Sequence, residues 1–139
     1  VAGRIEGHDE RTWRRKPGPG RWSALEVLCP LRDADREVFG PRLERLLAED
    51  HPELADVDMS GWEVSRAYDG NPPARALEEW REARRAMLVR LVPLTRADWA
   101  RVGQHPRRGP LALAEMVRAC AEHDLSHRRQ MAAALGEHA

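Results

Sequence analysis

Three observations predict an all-α chain folded as a four-helix bundle, with a long loop between helices two and three. Apolar residues recur at helical spacing, most clearly in the stripe Leu113, Met116, Val117, Cys120, His123, Asp124, His127, Met131 and Leu135. No stretch alternates with a period of two, and Ile5 is the only isoleucine, so no strand is expected. Proline and glycine concentrate at 16–20, from about 49 to 73, and at 103–110, which leaves four helical segments between the breaks. With 139 residues the chain is one domain, 1–139, large enough to bury a core without staples.

The first segment ends near Arg15, with Ile5 and Trp13 as its core contacts; because the chain opens on Val1, this helix is expected to be shortened at its start. The second opens at Trp22-Ser23-Ala24-Leu25-Glu26, where Ser23 and Glu26 have capping-box spacing, and continues through Val38, Phe39, Leu43, Leu46 and Leu47. Pro30 lies inside it. A proline there denies an N–H to the carbonyl of Glu26 and crowds the turn, at a cost of about 3 kcal/mol, so the helix is expected to bend at Pro30 or to start afresh. The third follows Pro72-Pro73, carries Leu77, Trp80, Met87, Leu88 and Leu91, and stops before Pro93. A short turn at 95–99 precedes the fourth, from about 111 to 135, which at 1.5 Å per residue spans about 36 Å.

Lysine and arginine number 23, as do aspartate and glutamate, so no net field steers the chain to nucleic acid or to an anionic membrane. The arginine pairs at 14–15, 84–85, 107–108 and 128–129 have acidic neighbours and read as solvated faces rather than an anion site. Lys16 is the only lysine, a bias expected of a GC-rich bacterium. No apolar run reaches membrane-spanning length and no signal-peptide pattern opens the chain, so a cytoplasmic location is expected. Cys29 and Cys120 both fall in helical patterns and read as buried free thiols.

His123 and His127 carry the chemistry. Four residues apart on one helix, they stand about 5–6 Å apart at Cβ and could ligate one metal ion. Asp124 could orient an imidazole, or pair with Arg128 one turn on. The run His123-Asp124-Leu125-Ser126-His127 is only superficially like the H-E-x-x-H of zinc peptidases, since aspartate is a methylene shorter and no third ligand follows. His51 and His105 fall in loops and read as exposed or capping residues, and the five tryptophans as core and helix-end residues.

The opening Arg21-Trp22-Ser23-Ala24-Leu25-Glu26-Val27-Leu28, the segment from Trp80 to Arg85, His105-Pro106 with Gly109, and H-D-x-x-H-x-x-Q from His123 to Gln130 together resemble the DinB/YfiT-like superfamily. This is the family of damage-inducible four-helix proteins, not the similarly named DNA polymerase. The resemblance implies a bundle that holds one divalent metal, zinc or nickel, on three histidines. Two match His123 and His127. The third belongs to a His-Leu pair after the W-S-x-x-E-V-L run, and here that pair reads Pro30-Leu31. Asp33 and Glu37, on the same helical face as position 30, are candidate substitutes; the alternative is that they pair with Arg32, Arg36 or other arginines.

Two function classes follow from the resemblance. One is a DinB-like protein with a partial, degenerate two-histidine site at low metal occupancy, acting through its helix faces as a binding or homodimerising module. The other is a divalent-metal-dependent hydrolase or thiol S-transferase for a small-molecule or thiol substrate, using His123, His127 and a carboxylate.

Overall fold

The computed structural model describes residues 4–137, and its elements follow from local rules in chain order. Helix α1 (Glu10–Arg14) starts at Asp9, whose carboxylate accepts from the Thr12 N–H, and buries Trp13. Helix α2 (Ala24–Ala34) opens on the expected capping box: Ser23 Oγ accepts from Glu26 N and the Glu26 carboxylate accepts from Ser23 N, each at 3.1 Å. It runs through Pro30 without interruption. The departure from α geometry comes five residues later than expected, in a π-helical turn at Asp35–Phe39, before α3 (Gly40–Ala48).

The cause is a second proline. Pro41 has no N–H for the carbonyl four residues back, so the turn widens and Gly40 N–H bonds the Asp35 carbonyl, five residues back. A Cβ on residue 40 would lie 2.7 Å from that same oxygen, so the turn requires glycine. Phe39, carried on the widened turn, packs against both core clusters.

The long loop contains α4 (Trp62–Ser65) and a 3₁₀ turn at Tyr68–Gly70, both of which bury an aromatic residue. Helix α5 (Pro73–Leu91) begins on its proline, α6 (Arg96–Trp99) is a single capped turn, and α7 (Leu113–Ala134) closes the fold. Helix α2 is central, packing on α1, α5 and α7. One core cluster gathers Trp13, Leu25, Leu28, Trp62, Tyr68, Leu77 and Leu135; the other gathers Leu43, Leu46, Leu54, Met87, Leu113 and Met116.

Two expectations need correction. Between α6 and α7 stands an antiparallel hairpin of β1 (Val102–His105) and β2 (Gly109–Ala112), pairing Val102 with Ala112 and His105 with Gly109. Main-chain bonding makes it, not β-branched side chains: Gln104 N donates to Pro52 O at 2.8 Å and Leu54 N to Gln104 O at 2.9 Å. A Cβ at Gly103 would come to 3.0 Å from Leu46, Leu54 and the Pro52 carbonyl, so the loop can approach only because residue 103 is glycine. The stripe of α7, expected to face the core throughout, is buried at Leu113, Met116 and Cys120 and again at Leu135, but opens between them over 123–131. Over that stretch a cleft of about 740 Å³ separates α7 from α5.

Both cysteines are free and buried. Burial pushes the Cys29 thiol up to about 12 and the Cys120 thiol up to about 11, so neither supplies a thiolate near neutral pH. Among the described residues no helix is long and apolar enough to cross a membrane.

The widened turn gives the first prediction. Gly40→Ala should destabilise the protein by about 2 kcal/mol, because the added carbon meets main chain that cannot step aside. Urea unfolding followed by circular dichroism measures it, and an unchanged midpoint would show that the turn relaxes freely.

Candidate metal centre

The pair His123 and His127 forms because α7 is regular over this stretch, so residues one turn apart share a face. The rings meet edge to face, with centroids 4.2 Å apart and planes at 77°, and their Nε2 atoms are 2.9 Å apart. Gln130, three residues on, places its carbonyl oxygen 3.0 Å from His127 Nδ1. That contact sets the tautomer: Nδ1 of His127 carries the proton and its Nε2 presents a lone pair. The His123 Nε2–H then donates to it. Burial, aided by the neighbouring imidazole and opposed by Asp124, holds His123 below the usual histidine range. One proton is thus shared between two nitrogens aimed at the same point.

Pro30 faces that point. A cavity of about 140 Å³ is lined by Trp22, Pro30, Trp62, Glu63, His123 and His127 among others, so helix α2 presents residue 30 to the histidines. Glu63, in α4, brings the one carboxylate that lines this cavity.

Asp33 and Glu37 are engaged elsewhere. Asp33 is 6 % exposed and accepts from Tyr68 Oη at 2.7 Å, Arg32 Nε at 2.9 Å and Arg66 Nη1 at 2.9 Å. Glu37 accepts from the same Arg66 Nη1 at 2.5 Å and from Nη2 at 3.1 Å. Burial opposes the Asp33 charge, but these three donors outweigh it and hold the carboxyl below its ordinary range. Arg66 also lies over the Trp62 ring, 4.0 Å from its centroid, so the network supports the indole that walls the histidine cavity.

Asp124 takes neither expected role. It bonds the Arg84 guanidinium, which also grips Asp35 through two N–H···O contacts of 2.9 and 3.1 Å. His51 is exposed beside Asp50, whereas His105 is 3 % exposed at the end of β1, not in an open loop. Glu63 and Gln130 received no role from sequence reasoning. For Gln130 the signal was present, as the last residue of H-D-x-x-H-x-x-Q; for Glu63 there was none.

The profile of the DinB superfamily matches residues 1–131. The chain belongs to the DinB superfamily. No curated protein matches this DinB-superfamily chain. Among solved structures it resembles YfiT from Bacillus subtilis, described as a probable metal-dependent hydrolase with an unusual four-helix bundle topology. The two share 19 % identity at a TM-score of 0.74, over 96 % of this chain and 78 % of that one.

Does the donor set of this DinB-superfamily chain fit a divalent metal? Two imidazole ligands at 2.0–2.1 Å from a tetrahedral zinc stand roughly 3.3 Å apart, so a separation of 2.9 Å needs only a small side-chain adjustment. The shell, however, stops at two. Among the described residues no group of three or more His, Cys, Asp or Glu is placed to hold one ion, and the position facing the pair is proline.

Removing the Asp33 charge should therefore cost structure rather than ligation. Asp33→Asn is expected to lose about 3 kcal/mol at pH 7, since Arg32 is left buried beside a neutral partner. Because the folded-state pKa is lowered, the stabilisation from ionised Asp33 is present above the unfolded value near 4 and is lost as pH falls through the folded one. Urea melts at pH 7 and pH 3 should accordingly show a gap between wild type and variant that is widest at pH 7 and narrower at pH 3.

Proposed function

We propose that this is a DinB-superfamily protein with two thirds of a metal centre: His123 and His127 persist as a competent ligand pair, and Pro30 takes the place of the third ligand. The observation that supports this most directly is the cavity that sets Pro30 opposite both histidines. Catalytic zinc sites use three protein ligands and keep one position for water or substrate. With two, a divalent ion such as zinc or nickel is held weakly and keeps more of its own water.

A second reading, a metal-dependent hydrolase or thiol S-transferase, rests on a carboxylate completing the shell. Asp33 and Glu37 are committed to Arg66, and Asp33 also to Arg32 and Tyr68. Glu63 is the carboxylate this reading would use, because it lines the cavity without a hydrogen-bond partner among the described residues. The two readings predict different stoichiometries.

The test is elemental analysis after zinc or nickel loading and exhaustive dialysis. Wild type should retain well below one metal per chain, and Pro30→His close to one. Retention of one equivalent by wild type, abolished by Glu63→Gln, would overturn the first reading in favour of the second. Because histidine must be neutral to ligate, the metal held by Pro30→His should be released as pH falls from about 7 to 5. Release that ignores this interval would exclude histidine ligation.

A further inference from the structure

On the far side of His123 lies a second cavity, of about 340 Å³, lined by Phe39, Arg42, Val57, Met59, His105, Arg107, Arg108, Ala119 and His123. It shares Met59 and His123 with the histidine cavity, so the two abut. Its polar lining is cationic. Arg107 is answered by Asp56 at 2.8 Å. Arg42 and Arg108 have no carboxylate within 4.0 Å among the described residues, and Arg42 Nε is buried without a hydrogen-bond partner there.

His105 makes the imbalance specific. Its Nδ1 accepts from the main-chain N–H groups of Arg107 at 3.2 Å and Arg108 at 3.1 Å, which places the proton of the neutral ring on Nε2. Arg42 Nη2 stands 3.3 Å from that nitrogen. A guanidinium has only donors, so two N–H groups face each other with no acceptor between them. Asp56, at 3.9 Å from His105 Nε2, is too far to serve. Arg42 Nη2 has one other partner, the Ala55 carbonyl at 3.1 Å. Burial, together with the Arg108 and Arg107 charges and against the opposing Asp56, disfavours the Arg42 cation.

We infer that this cavity binds the oxyanion of a small-molecule ligand, a carboxylate or a phosphate, whose oxygen accepts from Arg42 and His105 while Arg108 closes over it. A bridging oxygen satisfies both donors at once, and guanidinium groups match the geometry of planar and tetrahedral oxyanions. Phe39, Val57, Met59 and Ala119 give the ligand an apolar body next to its charge. His123 forms the wall common to both cavities, so an anion seated here carries its uncharged end toward the histidine pair. The inference does not depend on whether that pair holds a metal.

Calorimetric titration of chelator-treated protein with inorganic phosphate and with hexanoate, at pH 8 in buffer free of chloride, tests it. One saturable site per chain is expected for at least one probe. The tighter of the two identifies the anion as phosphate or carboxylate. Arg42→Gln and Arg108→Gln should each weaken binding by about tenfold or more, and Arg96→Gln, exposed on α6, should leave it unchanged. Arg108 is exposed, so its variant keeps the fold and decides the matter even if Arg42→Gln does not fold. Absence of saturable binding to both probes, or binding indifferent to Arg108→Gln, overturns the inference. Neither result bears on metal retention by Pro30→His.

Discussion

Arg84 reaches from α5 to two carboxylates at once: Asp35, 3 % exposed at the start of the π turn, and Asp124, midway along α7. A cation held between two half-neutralised anions gains from both only while all three stay in place, and removing one leaves buried charge without an answer. Burial pushes the Asp35 carboxyl up while Arg84 draws it down, which measures how tightly this contact is enclosed. The geometric consequence is larger than the energetic one. With Asp124 turned toward α5, the neighbouring positions 123 and 127 lie roughly 60 to 100° round the helix, on the side facing α2 and α4. Arg84, with the buried Leu113, Met116, Cys120 and Leu135, holds α7 at the rotation that turns the histidine pair toward Pro30 and Trp62. The clamp also spans the cleft between α5 and α7, where the stripe opens between Cys120 and Leu135.

The π turn answers to the same contact. Asp35 begins the turn, its side chain takes Arg84 and its carbonyl takes Gly40 N–H, so one residue ends the straight run of α2 and anchors α5. Inserting one extra residue per turn shifts everything after it by about 100° relative to an unbroken α-helix, and this brings Phe39 between the two core clusters. Arg42, three residues into α3, is set at the hairpin by the same shift, where it meets His105.

What the sequence disclosed was local. Helices α2, α5 and α7 follow from apolar periodicity, the start of α2 from Ser23 and Glu26, and the histidine pair from i, i+4 spacing. The place of Pro30 opposite that pair came from resemblance, since no pattern within α2 says which face meets α7. What stayed hidden depended on partners distant in the chain. Asp124 offered Arg128 within its own helix but bonds Arg84 forty residues earlier. Asp33 and Glu37 read equally well as ligands and as ion-pair members until Arg66 and Tyr68 arrived from the loop. The hairpin is held by main-chain bonds to 52–54 and by a glycine that admits them, features without a hydrophobic signature. His105 was read as an exposed or capping residue; it does cap the 106–108 turn through Nδ1, but from within the core.

A proline facing two histidines changes more than a ligand count. Histidine at position 30 would offer a nitrogen to the cavity and an N–H to the Glu26 carbonyl; proline offers neither and turns an apolar ring toward the imidazoles. In a cavity of 140 Å³ walled by Trp22 and Trp62, that exchange favours the neutral, proton-sharing form of the pair over a hydrated cation. The donors at Arg42 and His105 are untouched by it, because they are held by α3 and the hairpin rather than by α2. The two halves of the site therefore have separate supports. Proline at position 30 thus leaves the donors of the second cavity in place, whatever the histidine pair of the first one holds.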